Sequence, residues 1–103
     1  MFAELITEII GQDTVDNREC HLQREPARIL PNLSRIPYLA ISGEAGPFNT
    51  FGHCIMDYLR QVGGTPEWIK LSDIGITGNG HFMHLELNNL QIARRILEWM
   101  VKV

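Results

Sequence analysis

The sequence predicts an α/β fold of parallel strands flanked by helices, with too few strands to complete a sheet. Three observations point there. Pro37 to Ser42 is an unbroken apolar run closed by Gly43, the pattern of a strand buried on both faces. Thr50 to Val62 then repeats apolar residues at helical spacing, and Trp68 to Leu71 gives a second short strand. A strand, a helix and another buried strand make a βαβ unit, whose strands run parallel with a right-handed crossover.

Taken in order, Met1 to Ile10 reads as a short amphipathic helix. Phe2, Leu5, Ile6, Ile9 and Ile10 share one stripe opposite Glu4 and Glu8, and Gly11 ends it. Residues 12–35 are polar and broken by Pro26 and Pro31, with Arg18, Arg24, Arg28 and Arg35 scattered through them. This stretch predicts a loop with one turn of helix around Pro26 to Leu30. So long a connection is uncommon inside a compact domain. Residues 1–35 are therefore read as an N-terminal helix and irregular segment, and 36–103 as the organised part.

In the central helix Phe51, Cys54, Ile55, Tyr58, Leu59 and Val62 form the apolar face, and Gly63-Gly64 supplies the C-cap. Ser72 to Leu87 is loop-rich, with Gly75, Gly78 and Gly80. Asn88 or Asn89 caps a last helix whose Leu90, Ala93, Ile96, Leu97, Met100 and Val101 make a broad apolar face. Trp68 and Trp99 are read as core and helix-face residues. Two strands alone are marginal in water, and a parallel sheet needs both faces covered. The chain thus reads as a piece of something larger, with an open sheet edge that favours self-association or a complementary chain.

At 103 residues the chain is one domain at most, and it buries only roughly two-thirds of its unfolded surface. Its 45% hydrophobic and 20% charged residues match ordinary soluble usage. A net charge of −3 and a pI near 5.7 give no basis for expecting nucleic acid or an anionic membrane as partner. No window reaches the roughly 18 apolar residues of a membrane span. The N-terminus lacks a basic region and carries Glu4 and Glu8, so it does not read as a signal peptide, and the expected location is cytoplasmic. Cys20 and Cys54 can form one disulfide at most or serve as buried structural cysteines. The Cys20-His21 and His53-Cys54 pairs lack the spacing of zinc ligands, so no metal is expected. Asn32-Leu33-Ser34 fits the N-glycosylation sequon, a triplet that also arises by chance. Gly78-Asn79-Gly80 lacks the further glycine and the lysine of a phosphate loop.

The run Asp73-Ile74-Gly75-Ile76-Thr77-Gly78-Asn79-Gly80-His81-Phe82-Met83, followed by Leu85-Glu86-Leu87-Asn88-Asn89-Leu90-Gln91-Ile92-Ala93, resembles the C-terminal end of α/β-hydrolases of the esterase and lipase type. That branch carries a G-[IV]-x-G-N-[GS]-H-M-M-M stretch, then an acidic residue, two Asn and the last helix. Phe82 and His84 stand here for two of the methionines. Ile41 to Ala45, Phe51 to Leu59 and, more loosely, Cys20 to Arg28 also match.

The resemblance implies that residues 36–103 are the C-terminal piece of an α/β-hydrolase fold, with His81 as the catalytic histidine. An imidazole on a loop after the last strand can take the proton of a serine nucleophile and return it to the leaving group. The chain contains no G-x-S-x-G, and Ser34, Ser42 and Ser72 do not sit in a nucleophile elbow. The nucleophile is expected outside these residues, so the chain alone is expected to be inactive. Gly46 stands where the acid often lies, leaving Glu44 or a residue outside the chain for that role. His84 is read as a packing or surface substitution. No cofactor is implied, and the substrate in the complete enzyme is a small-molecule ester. The rival readings are a non-catalytic interaction or structural module, and a gene fragment without function.

Overall fold

A computed structural model describes residues 7–12 and 19–103. The chain divides into two units. The first joins the described residues up to Ala40 with Thr50–Trp68, and the second joins Ile41–Asn49 with Ile69–Val103.

The first unit opens with strand β1 (Thr7–Gln12), paired antiparallel with β2 (Glu19–Gln23). The helix expected over Met1 to Ile10 is corrected here. Met1 to Ile6 lie outside the described residues, and Thr7 to Ile10 are extended, with Thr7 opposite Gln23 and Ile10 opposite Cys20. Thr7, Ile9 and Ile10 are β-branched, which favours a strand over a short helix. Gly11, expected to stop the helix, is instead skipped by the register between Ile10 and Gln12, where a bulge suits glycine.

The stretch expected to be loop after β2 is stitched down by side-chain amides. Buried Gln23 accepts the Arg28 N–H at 2.9 Å and donates to the Arg28 carbonyl at 3.1 Å. Its own backbone N–H and carbonyl each meet the Gln61 amide at 2.8 Å. The single helical turn falls at α1 (Pro31–Ser34) and not at Pro26 to Leu30, because Pro31 suits the first helical position. Helix α2 (Phe48–Gln61) begins two residues before the expected start. It ends as expected: Gly63 takes φ +97° and donates to Arg60 at 3.0 Å, while Gly64 donates to Leu59 at 2.8 Å. That pair of bonds is a Schellman cap. Cys54 on α2 is joined to buried Cys20 on β2 by a disulfide.

Strands β3 (Leu39–Ser42) and β4 (Glu67–Lys70) form the expected two-stranded parallel sheet. Beyond β4, a 3₁₀ turn over Leu71–Ile74 is closed by Gly75 at φ +81°, and a second covers Met83–Leu85. Helix α3 (Asn89–Met100) follows. The core of the second unit is Leu71, Ile76 and Ile92, with Ile41, Ile69, Met83 and Ile96 packed against it. Of the apolar face expected on α3, Ile96 alone packs on this core, beside Ile92, which that expectation did not include. Ile92 and Ile96, one turn apart, turn inward, while Leu90 (81% exposed), Leu97, Met100 and Val101 (76% exposed) lie in solvent. Among the described residues no helix is long and apolar enough to cross a membrane.

Two predictions follow from the first unit. Cross-linking positions 34 residues apart removes about 4 kcal/mol of loop entropy from the unfolded chain. Cys20→Ser with Cys54→Ser should therefore lower the unfolding free energy by about that amount in a denaturant titration. Glu25 accepts hydrogen bonds from the Gln61 side chain and the Ala27 N–H, which hold its pKa below the ordinary carboxylate value. A depressed folded pKa gives stability that is present above the ordinary carboxylate range and lost as pH falls through the folded value. Glu25→Gln should flatten that acid limb of the stability profile by removing the contribution present at neutral pH, leaving stability at the acid end nearly unchanged.

Candidate functional site

The sequence singles out the loop carrying His81, and the second unit shows how that loop is held. At the end of β3 the backbone of Gly43 lies so close to the loop that an added Cβ would collide with the Asn79 carbonyl and sit 2.7 Å from the Gly80 oxygen. Only glycine fits there. Ala45 N–H donates to the Asn79 carbonyl at 2.9 Å, and the Glu44 carboxylate accepts the Gly78 N–H at 3.1 Å. From the other side, Glu86 accepts the Gly80 N–H at 2.9 Å. Gly78 itself takes φ +84°, a left-handed conformation that costs glycine little.

Between these struts the side chain of Asn79, 3% exposed, pairs reciprocally with Asn88 through hydrogen bonds of 2.7 and 2.9 Å. Buried amides need such partners. The pair also corrects the expected helix cap. Asn88 occupies the N-cap position of α3, but at φ −95° and ψ 20° it makes no capping side-chain bond. That backbone is outside the extended region capping residues use, and the amide is committed to Asn79. Asn89 donates to the His84 carbonyl at 2.9 Å, securing the turn before α3.

The frame leaves His81 exposed in the turn that follows it. Its ring meets Phe82 edge-on at 5.3 Å, and Phe82 meets His84 edge-on at 6.0 Å. Phe82 is itself 65% exposed, so these three rings form a solvent-facing row. Glu44, the candidate acid, spends one carboxylate oxygen on the Gly78 backbone. Gly46 does stand beside the histidine: a Cβ there would lie 3.8 Å from the His81 backbone nitrogen. Ser42 is buried and donates to Asn49 at 2.7 Å, and Ser34 donates to the Pro31 carbonyl at 3.1 Å. Asn49 in turn donates to the Gly43 and Glu44 carbonyls at 2.7 and 3.1 Å, fixing the turn between β3 and α2.

Sequence reasoning missed Asn49, Asn79, Asn88 and Glu86 as structural members of this site. The recurrence of Asn around the glycines was the available signal. In the first unit the fold brings Cys20, His53 and Cys54 together, with the His53 Nε2 3.5 Å from the Cys54 sulfur. Both sulfurs are used by the disulfide.

Comparison with known proteins gives one informative likeness. The chain is 42% identical over 99 residues, 96% of its length, to the probable secreted lipase phiG of Fungal sp. (strain ATCC 74256). It spans 27% of the length of that relative. No protein-family model matches the chain, and no solved structure matches it. The chain is thus lipase-like in sequence along nearly all of its length. The expectation of a cytoplasmic location is overturned, because the relative is a probable secreted lipase, which points outside the cell. The Cys20–Cys54 bridge agrees physically, since disulfides form and persist in oxidising compartments.

Asn79→Ala should lower stability by about 1–3 kcal/mol, the cost of leaving a buried polar partner unpaired. Faster amide exchange should be confined to Gly78, Gly80 and the start of α3. Exchange that quickens equally throughout β2 would show that the pair does not act locally.

Proposed function

We propose that this chain is the histidine-bearing, C-terminal portion of a secreted lipase-type carboxylic ester hydrolase. The observation that carries the reading is its 42% identity, over 96% of the chain, to a lipase of which it spans 27%. The geometry supports it: His81 stands in solvent on a loop whose backbone is held from both sides, a rigid mount with an accessible ring.

In this role His81 is the general base. Its imidazole takes the hydroxyl proton of a serine supplied by residues outside this chain as the serine oxygen attacks the ester carbonyl. The tetrahedral intermediate then collapses, the proton passes to the departing alcohol, and an acyl-serine remains. Water repeats the exchange and releases the acid. No cofactor enters. The acid that orients the imidazole is Glu44 or a residue outside the chain. With Glu44 engaged on Gly78, its service to His81 would use its other carboxylate oxygen.

A second reading, a non-catalytic module that pairs with another chain, is favoured by the exposed Leu90, Leu97 and Met100 on α3 and Val101 just after it. In the hydrolase reading the rest of the same protein covers those residues.

Purified chain assayed with p-nitrophenyl acetate should show only the background of free histidine. Saturable turnover lost in His81→Ala would overturn the claim that the nucleophile lies elsewhere. In the complete enzyme, His81→Ala should lower turnover by several orders of magnitude, on the scale of losing one triad member. His84→Ala should have modest effects. The reverse ranking would sink the assignment of His81.

A further inference from the structure

We propose that Asn32 is an N-glycosylation site whose glycan covers an apolar patch of the first unit. The inference rests on the reading that the protein is secreted, and three further observations lead to it. Asn32-Leu33-Ser34 is a complete sequon with leucine, not proline, in the middle. Asn32 is exposed on the single turn of α1, in a stretch that is otherwise irregular, where a bulky group displaces nothing. Finally, its surroundings are apolar. Ile29 is 59% exposed and Ile36 is 61% exposed, and Leu33 joins them at the surface. A shallow groove lined by Leu33, Ile36, Tyr38, Leu59 and Pro66 runs beside the turn.

A cluster of exposed apolar side chains calls for a covering. A sugar ring meets that need, because its C–H face packs on apolar carbons while its hydroxyls stay in water. A glycan on Asn32 is tethered within reach of Ile29, Leu33 and Ile36, so it covers them without association with another protein.

The reaction is a glycosyl transfer from a lipid-linked oligosaccharide diphosphate. The Asn32 side-chain nitrogen forms a bond to the anomeric carbon of the first sugar. The bond from that carbon to the diphosphate oxygen breaks, the lipid diphosphate leaves, and the amide gives up one proton. The hydroxyl of residue 34 is required for acceptor recognition, so Thr serves there and Ala does not.

The test uses the full chain directed into the secretory pathway of a fungal host. Formation of the Cys20–Cys54 bridge, read by mass with and without reduction, marks passage through the oxidising compartment. The secreted chain should carry added mass that peptide N-glycosidase removes, converting Asn32 to Asp. Asn32→Gln and Ser34→Ala should lack that mass, and Ser34→Thr should keep it. A bridged, secreted chain with the mass of the bare polypeptide overturns the site. Retention of the native gene product inside the cell that makes it, read by fractionation, would instead overturn the secretion reading.

The covering role is read separately. Enzymatic deglycosylation should raise binding of a hydrophobic dye several-fold, and the increase should vanish when Leu33→Ser and Ile36→Ser are combined. Dye binding unchanged by deglycosylation overturns the covering role.

Discussion

The buried amide of Asn79 and its backbone carbonyl hold together three stretches of chain. The carbonyl takes the Ala45 N–H from the end of β3, and the side chain takes and gives hydrogen bonds with Asn88 at the start of α3. The loop backbone passes so close to Gly43 that no side chain could stand between them. A loop of this kind has no ladder to satisfy its backbone groups, yet backbone donors near a protein interior need partners. Glu44 and Glu86 supply them, one to each glycine flanking Asn79. The histidine that follows inherits a fixed backbone and an exposed ring, which the proposed proton-transfer role would use.

The first unit solves the same problem with different groups. Its irregular segment between β2 and α2 cannot be held by a deep apolar core in so short a chain. Instead the Gln23 side chain makes two hydrogen bonds with the Arg28 backbone and the Gln61 side chain two with the Gln23 backbone, and Glu25 joins the Gln61 amide. Each such bond contributes modestly, about 1 kcal/mol net. Their value lies in fixing one path for the chain where the sequence specifies no regular element. The covalent link from Cys20 to Cys54 ties the same segment to α2.

Much of the fold beyond residue 36 was legible because burial leaves periodic traces. β3, α2 with its glycine cap, β4 and α3 all lie within a few residues of where apolar spacing places them. The N-terminal strand was not legible. Ile9 and Ile10 fit a helical stripe as readily as a strand, and the pairing with Cys20 to Gln23 that decides between them is non-local. The face of α3 misled for a related reason. Its outer leucines suggest burial, but Ile92 and Ile96 reach the core and Trp99 is half-buried, while those leucines stay exposed. At the candidate site, the motif singled out the loop of His81, whose role stands as a proposal. Of the asparagines that hold the loop, Asn88 was read as a possible helix cap, Asn79 only as part of the motif and Asn49 not at all, because amide pairing depends on where two distant backbones end up.

The disulfide has a topological consequence for the secreted protein proposed above. Proteases cut exposed, irregular chain, and the segment from Arg24 to Ile36 is both exposed and poor in regular structure. Every peptide bond in that segment lies between Cys20 and Cys54. A single cut there leaves two polypeptides that remain one molecule, with β2 still fastened to α2 and the His81 loop untouched. The bridge therefore turns this exposed stretch into one that can be nicked without shedding either piece.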